Sequence, residues 1–244
     1  MTTAIDPELD LEALEAMPAE RLLEWAVESY DRRAAIITSF QNTGCVMIDM
    51  AARVAPSLRV LTVDTLRLHD ETYVLIEAIE ARYGIGVERF QPEPQRVSEM
   101  VAEHGEFLFF DGRPQQEHCC AVRKVEPNQR ALGTVDAWIT GLRRDQSPGR
   151  RRLPRAEFVA NGDRRLLKLC PLIDWGEDQV WAYIRDNDVP YNTLYDSGYT
   201  SIGCVICTTP TLPHEERRAG RWRWFNHMED HHKECGIHLH GSGI

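Results

Sequence analysis

Short apolar runs rich in β-branched residues alternate with helical patterns along this chain, and no other feature restricts its fold as strongly. Ala34 to Phe40 (AAIITSF) reads as a buried strand that passes through the polar turn Gln41-Asn-Thr-Gly44 into a helix over Cys45 to Val54. Leu58 to Asp64 (LRVLTVD) is a second buried strand. Leu75, Ile79 and Tyr83 then recur every four residues, with Gly84 as the stop. Val87 to Phe90, Asp136 to Leu142 and Leu166 to Leu172 are further strands. A helix opening at Pro18 carries Leu22, Leu23, Ala26, Val27 and Tyr30 on one side. Asp174, with Glu177 three residues on, predicts a capping box for a helix carrying Val180, Trp181 and Ile184. The Arg-, Pro- and Gly-rich stretch 143–155 reads as an exposed loop.

Such alternation builds a mostly parallel, doubly wound α/β sheet with helices on both faces. Ligands bind these sheets beyond the carboxyl ends of the strands, where the strand order switches. The turn Ser39 to Gly44, leading from a strand into a helix N-terminus, is placed to cradle an anion there. A length of 244 residues suits one large domain with extensions. It divides into an N-terminal helical segment (1–33), a nucleotide-binding α/β unit (34–198) and an irregular tail (199–244) on the same domain.

A net charge of −10 disfavours a nucleic-acid partner, which needs a broad positive face. Against that background Arg143, Arg144, Arg150, Arg151, Arg152 and Arg155 crowd one stretch, and Arg217, Arg218, Arg221 and Arg223 another. Solvated surface is the plain reading for most of them. As groups they suit a small, doubly charged anion. Met1 to Asp10 lacks a secretory pattern and no run is long enough to span a membrane. Seven cysteines without an export signal point to a reducing cytoplasm, where such pairs bind metal or do redox work.

The cysteines fall into two classes. Cys119 and Cys120 are adjacent, and Cys204 and Cys207 form a second tight pair. Four thiolates can hold zinc or an iron–sulfur cluster. An adjacent pair is awkward around one small tetrahedral ion, while neighbouring residues can reach different irons, so the spacing favours the cluster. Buried structural thiols are the simpler alternative. Cys45 and Cys170, each isolated beside an apolar element, read as core. Cys235, in the tail Lys233-Glu-Cys-Gly-Ile-His238, is placed to react, with Lys233, His231, His232, His238 and His240 around it. An idle exposed thiol is the alternative, and the histidines read as solvated rather than metal-binding.

Thr38-Ser-Phe40, Val63-Asp-Thr65, Cys119-Cys-Ala-Val-Arg-Lys-Val-Glu-Pro127, Thr140-Gly-Leu-Arg-Arg-Asp-Gln-Ser-Pro148, Gly198-Tyr-Thr-Ser-Ile-Gly-Cys-Val-Ile-Cys-Thr208 and Lys233-Glu-Cys-Gly-Ile-His238 together resemble the assimilatory sulfonucleotide reductases. The resemblance spans about residues 20–240. It implies an adenine-nucleotide-hydrolase-like, Rossmann-like fold. Members that keep both cysteine pairs use adenosine 5′-phosphosulfate (APS) and carry one 4Fe–4S cluster per subunit, implied here on Cys119, Cys120, Cys204 and Cys207. Cys235 is implied as the nucleophile, forming a cysteine S-sulfonate that thioredoxin or a glutaredoxin-like dithiol releases as sulfite. Lys124 would face the sulfate and the cluster, and Arg218 and Arg221 the phosphosulfate. Ser39 would belong to the phosphate loop, and Gly141, Arg143 and Arg144 would border the nucleotide. This chain has Gly44 and Cys45 where the family commonly has an acidic pair, and Leu66-Arg-Leu-His69 in place of the frequent Gly-Tyr-His. Competing readings are a reductase for the 3′-phosphorylated nucleotide (PAPS), a 4Fe–4S tRNA-thiolating enzyme and a non-catalytic iron–sulfur redox sensor. A homo-oligomer is left open.

Overall fold

A computed structural model describes residues 9–225. Six strands form one sheet in the order β3-β2-β1-β4-β6-β5: β1 (Ala34–Ile37), β2 (Arg59–Val63), β3 (Val87–Phe90), β4 (Ala137–Ile139), β5 (Ala156–Asn161) and β6 (Arg164–Leu169). All neighbours are parallel except β5, which runs antiparallel to β6 at the edge. The helices are α1 (Leu11–Glu15), α2 (Ala19–Tyr30), α3 (Asn42–Val54), α4 (Asp70–Tyr83), α5 (Pro94–His104), α6 (Arg113–Cys120), α7 (Glu126–Gly133) and α8 (Glu177–Asp186).

Strand side chains alternate between two cores, which is why the runs are apolar throughout. Ala34, Ile36, Ala137, Ile139, Leu167 and Leu169 pack with Leu22, Leu23 and Ala26 of α2, Val46 of α3, Ile76 of α4 and Val180 of α8. Ala35, Ile37, Leu61, Trp138 and Leu166 face the other way, against Ala131 and Leu132 of α7. Cys45 and Cys170 are core residues, as expected, and burial pushes both thiols up to about 12.

The differences from the sequence reading are local. The hairpin partner β5 was not expected: its half-polar sequence AEFVAN lies on a sheet edge and turns through Gly162, at φ +60°, into β6. Helix α3 begins at Asn42, before Cys45. The N-cap of α8 is Gly176, whose N–H donates to Gln179 Oε1 at 2.8 Å, so no Asp174–Glu177 capping box forms. Asp174 instead pairs with Arg144 and Arg155. The stretch 143–155 is not uniformly exposed, because Arg143 is wholly buried. Helices α6 and α7 were not foreseen either. A five-residue π-helical stretch, Ala121–Val125, joins them into one rod.

Candidate functional site

A cleft with a volume of about 180 Å³ opens at the carboxyl ends of β1, β2 and β4, where the chain order reverses between β1 and β4. One wall is the β1–α3 turn, with Thr38, Ser39, Gln41, Asn42, Thr43 and Gly44. That turn is tight: a Cβ on Gly44 would lie 2.0 Å from Thr38 Oγ1, so only glycine lets α3 start this close to β1. Phe40, buried in the turn, holds a left-handed backbone at φ +54°, with its N–H donating to Thr38 Oγ1 at 3.0 Å. The first amides of α3 are already engaged. Asn42 N–H donates to Tyr195 Oη at 3.2 Å, and Thr43 N–H to Asn42 Oδ1 at 2.8 Å. The turn borders the cleft without offering those two amides as a cradle.

Cations line the same cleft. Lys124, on the π-helical stretch, lines the cleft and has no ion pair or hydrogen bond with any described residue. Arg150, Arg217, Arg218 and Arg221 line it as well. Arg221 is buried, its guanidinium donating to Ile202 O at 3.2 Å and lying 5.3 Å from the Trp222 ring centre. A Cβ on Gly203 would fall 2.3 Å from Arg221 Nη2, so the glycine before Cys204 is what admits the guanidinium.

The two cysteine pairs adjoin this cleft. Cys204 lines the cleft itself. Cys119 and Cys207 are buried and Cys120 and Cys204 half-buried, and no disulfide joins any of the four to another described residue. Cys119 packs with Val122, Phe109, Ile206 and Trp224, and Cys207 with Trp222, Ile206 and Trp224, so the pairs share neighbours. Thr65, after β2, ties them together. Its hydroxyl is 3.3 Å from Cys204 Sγ, and its carbonyl accepts from Arg123 Nη1 at 3.2 Å. Gln116 Nε2 donates to Cys120 Sγ at 3.2 Å. Burial raises the Cys119 thiol, opposed by the guanidinium groups of Arg123 and Arg67. Cys207 is pushed up to about 12 by burial and by its neighbours Cys204 and Cys120. Burial beside Arg67 in turn lowers Arg123. Among the described residues, no three of the His, Cys, Asp and Glu side chains are grouped to hold a single metal ion.

Of the residues expected at a site, Ser39, Lys124, Gly141, Cys204, Arg218 and Arg221 line the cleft, with Cys119, Cys120 and Cys207 beside it. Arg143 and Arg144 do not reach it. Arg143 donates to Asp145 Oδ1 and Oδ2 at 2.9 and 3.1 Å and also contacts Glu177 and Thr43. Arg144 turns away to Glu15, Asp174 and the Leu153 carbonyl. Cys235 and the tail histidines lie outside the described residues. Residues the sequence reading gave no part in the site are Arg67, Gln116, Arg123 and Glu177, the last expected only in a helix cap. Gln116 and Arg123 stand four residues from Cys120 and Cys119, a spacing that marks one helix face once 113–133 is read as a helix. Glu177 carried no such signal.

A family model described as the phosphoadenosine phosphosulfate reductase domain matches residues 33–210. The chain is 45% identical over 202 residues to an adenosine 5′-phosphosulfate reductase of Allochromatium vinosum, covering 82% of this chain and 77% of that one. It is 38% identical over 237 residues to one of Burkholderia cepacia, covering 97% and 91%. A crystal structure of phosphoadenylyl-sulfate reductase from Candida auris, a phosphate complex, superposes with a TM-score of 0.69 at 32% identity, over 84% of this chain and 98% of that one. An FMN adenylyltransferase of Candida glabrata, at 15% identity and TM-score 0.54, shares the fold alone. With the switch-point cleft, its cation wall and this match over most of its length, the chain belongs to the phosphoadenosine phosphosulfate reductase family.

Proposed function

We propose that this protein is an assimilatory adenylyl-sulfate reductase, converting APS to sulfite and AMP with thioredoxin or a glutaredoxin-like dithiol as donor. The observation that carries the reading is that Lys124, Arg218 and Arg221 line the switch-point cleft together with Cys204. A phosphosulfate presents two adjoining anionic groups, which such a set of cations matches. Relatives at 42–45% identity that carry the APS reductase name support APS over its 3′-phosphorylated form. The absence of disulfides among the described cysteines suits a reducing cytoplasm, and no described helix is long and apolar enough to cross a membrane.

In the first step the Cys235 thiolate attacks the sulfur of APS. The bond from sulfur to the bridging oxygen breaks, its electron pair leaves with AMP, and the sulfonate stays on Cys235. A thiolate of the donor then attacks Cys235 Sγ. Sulfite departs with the pair from the S–S bond, and the donor's second thiol resolves the mixed disulfide. Lys124, Arg218 and Arg221 offset the charge growing on the AMP oxygen, which is an electrostatic contribution to the barrier. Ile37, Val63, Leu68 and Leu142 give the adenosine an apolar wall, with Ser39 and Gly141 at its edge.

Cys119, Cys120, Cys204 and Cys207 would hold one 4Fe–4S cluster. The donor set fits: two sulfurs have hydrogen-bonding neighbours in Thr65 and Gln116, and Arg67 and Arg123 supply positive charge for an anionic centre. The buried Arg123 Nε, Trp222 Nε1 and Trp224 Nε1 have no acceptor among the described residues, and inorganic sulfides would be acceptors for them. When bound, the cluster supplies structural anchoring and local charge, while the covalent chemistry falls to Cys235. The test is a sulfite assay on anaerobically purified protein with each nucleotide. Turnover on APS well above that on PAPS is expected, and sulfite from neither would contradict the reading.

A further inference from the structure

Glu177 opens α8, and its carboxylate collects four donors. Oε1 accepts from Asn42 Nδ2 at 2.7 Å and Trp181 Nε1 at 2.9 Å, and Oε2 accepts from both Arg143 and Arg217. Burial, which raises a carboxyl, is outweighed by Arg217 and Arg143, and Glu177 sits below the ordinary carboxylate value. The two guanidinium groups are not equivalent. Arg143 is wholly buried and also chelated by Asp145, so its charge is answered within the body. Arg217 lines the cleft and keeps 24% of its side chain exposed. One carboxylate therefore fixes the start of α3, through Asn42, to an arginine of the cleft wall.

The geometry points to Arg217 as an additional contact for the anionic part of the substrate, with Glu177 as the positioning residue that holds it there. An arginine already pinned by a charged hydrogen bond loses less freedom when ligand arrives than one waving in solvent. Asn42 Nδ2 and Trp181 Nε1, held on the other oxygen, set the direction of the carboxylate and hence of Arg217. Sequence spacing cannot show this link, because the pair is 40 residues apart.

The inference rests on APS being the substrate, and its test separates the two claims. Steady-state kinetics on APS are compared for the parent, Arg217→Ala, Glu177→Gln and the double variant, with thermal midpoints as a check on folding. Arg217→Ala is expected to raise KM about tenfold, the loss of one charged contact, with kcat within about twofold. Glu177→Gln is expected to raise KM about threefold to fivefold, and the double variant to match Arg217→Ala alone. An unchanged KM in Arg217→Ala overturns the inference. So does a Glu177→Gln effect that persists undiminished without Arg217, since that is what general loosening of the fold would give. If Glu177→Gln fails to fold, Arg217→Ala alone decides. A parent that makes no sulfite from APS removes the functional reading and this inference together, whereas an active parent with an indifferent Arg217 removes only the inference.

Discussion

Ile36, Ile139 and Leu167 in the sheet are wholly buried among apolar neighbours, whereas the wall made by α6–α7 and residues 199–225 buries Arg123, Arg221, Thr208 and Trp222. Each of those four has a polar atom without a hydrogen-bond partner among the described residues. Asn128 and Trp138 also carry such atoms, and both line the cleft. A buried, unmet donor costs roughly 1–3 kcal/mol, so a fold does not gather several without a use for them. In the body the exceptions are Trp138, on β4, and His69, just before α4. Within the described residues the wall concentrates these unmet groups beside the cysteine pairs and the cleft.

That contrast is broken most sharply at the tail. Cys235→Ser should abolish sulfite release while leaving APS binding intact, measured by a sulfite assay and by equilibrium binding. Wall cysteines come next: Cys119→Ser or Cys207→Ser should give colourless protein with iron and activity lost together. Full activity in iron-free protein would remove the cluster from the account. Lys124→Ala should lower kcat/KM on APS by about 10²–10³, the range for deleting one preorganised charge donor, with little change in thermal midpoint.

The body offers smaller tests. Thiols raised to about 12 are thiolate at only about one part in ten thousand at pH 8, so Cys45 and Cys170 should resist alkylation in the native protein, read by peptide mass spectrometry. Smallest of all is Leu66, left-handed at φ +58° with 46% of its surface exposed. Leu66→Gly relieves that backbone without opening a cavity and should change stability by about +0.5 to +1 kcal/mol in a denaturant melt.

Much of the body was legible because a parallel strand buried on both faces leaves an unbroken apolar run, as AAII and RVLTV do. Strand β5 escaped because an edge strand needs only one apolar face, and AEFVAN shows little of it. The rod from Arg113 to Gly133 escaped because Pro114, Pro127 and two cysteines mask its helical period; Pro114 stands in the first turn, and Pro127 follows directly on the π-helical stretch. In the candidate site, cysteines and arginines announce themselves by type and spacing. Which arginine faces the cleft does not: Arg143 and Arg144 are drawn off by Asp145, Glu177, Glu15 and Asp174, partners that only the fold brings near.

The most direct measurement is peptide mass spectrometry of protein incubated anaerobically with APS and no reductant. A single sulfonate on the peptide containing Cys235, discharged as sulfite on adding a dithiol, is the expected result. An unmodified Cys235 peptide, or a sulfonate carried by any of the other cysteines, would contradict the division between four sulfurs that hold and one that reacts.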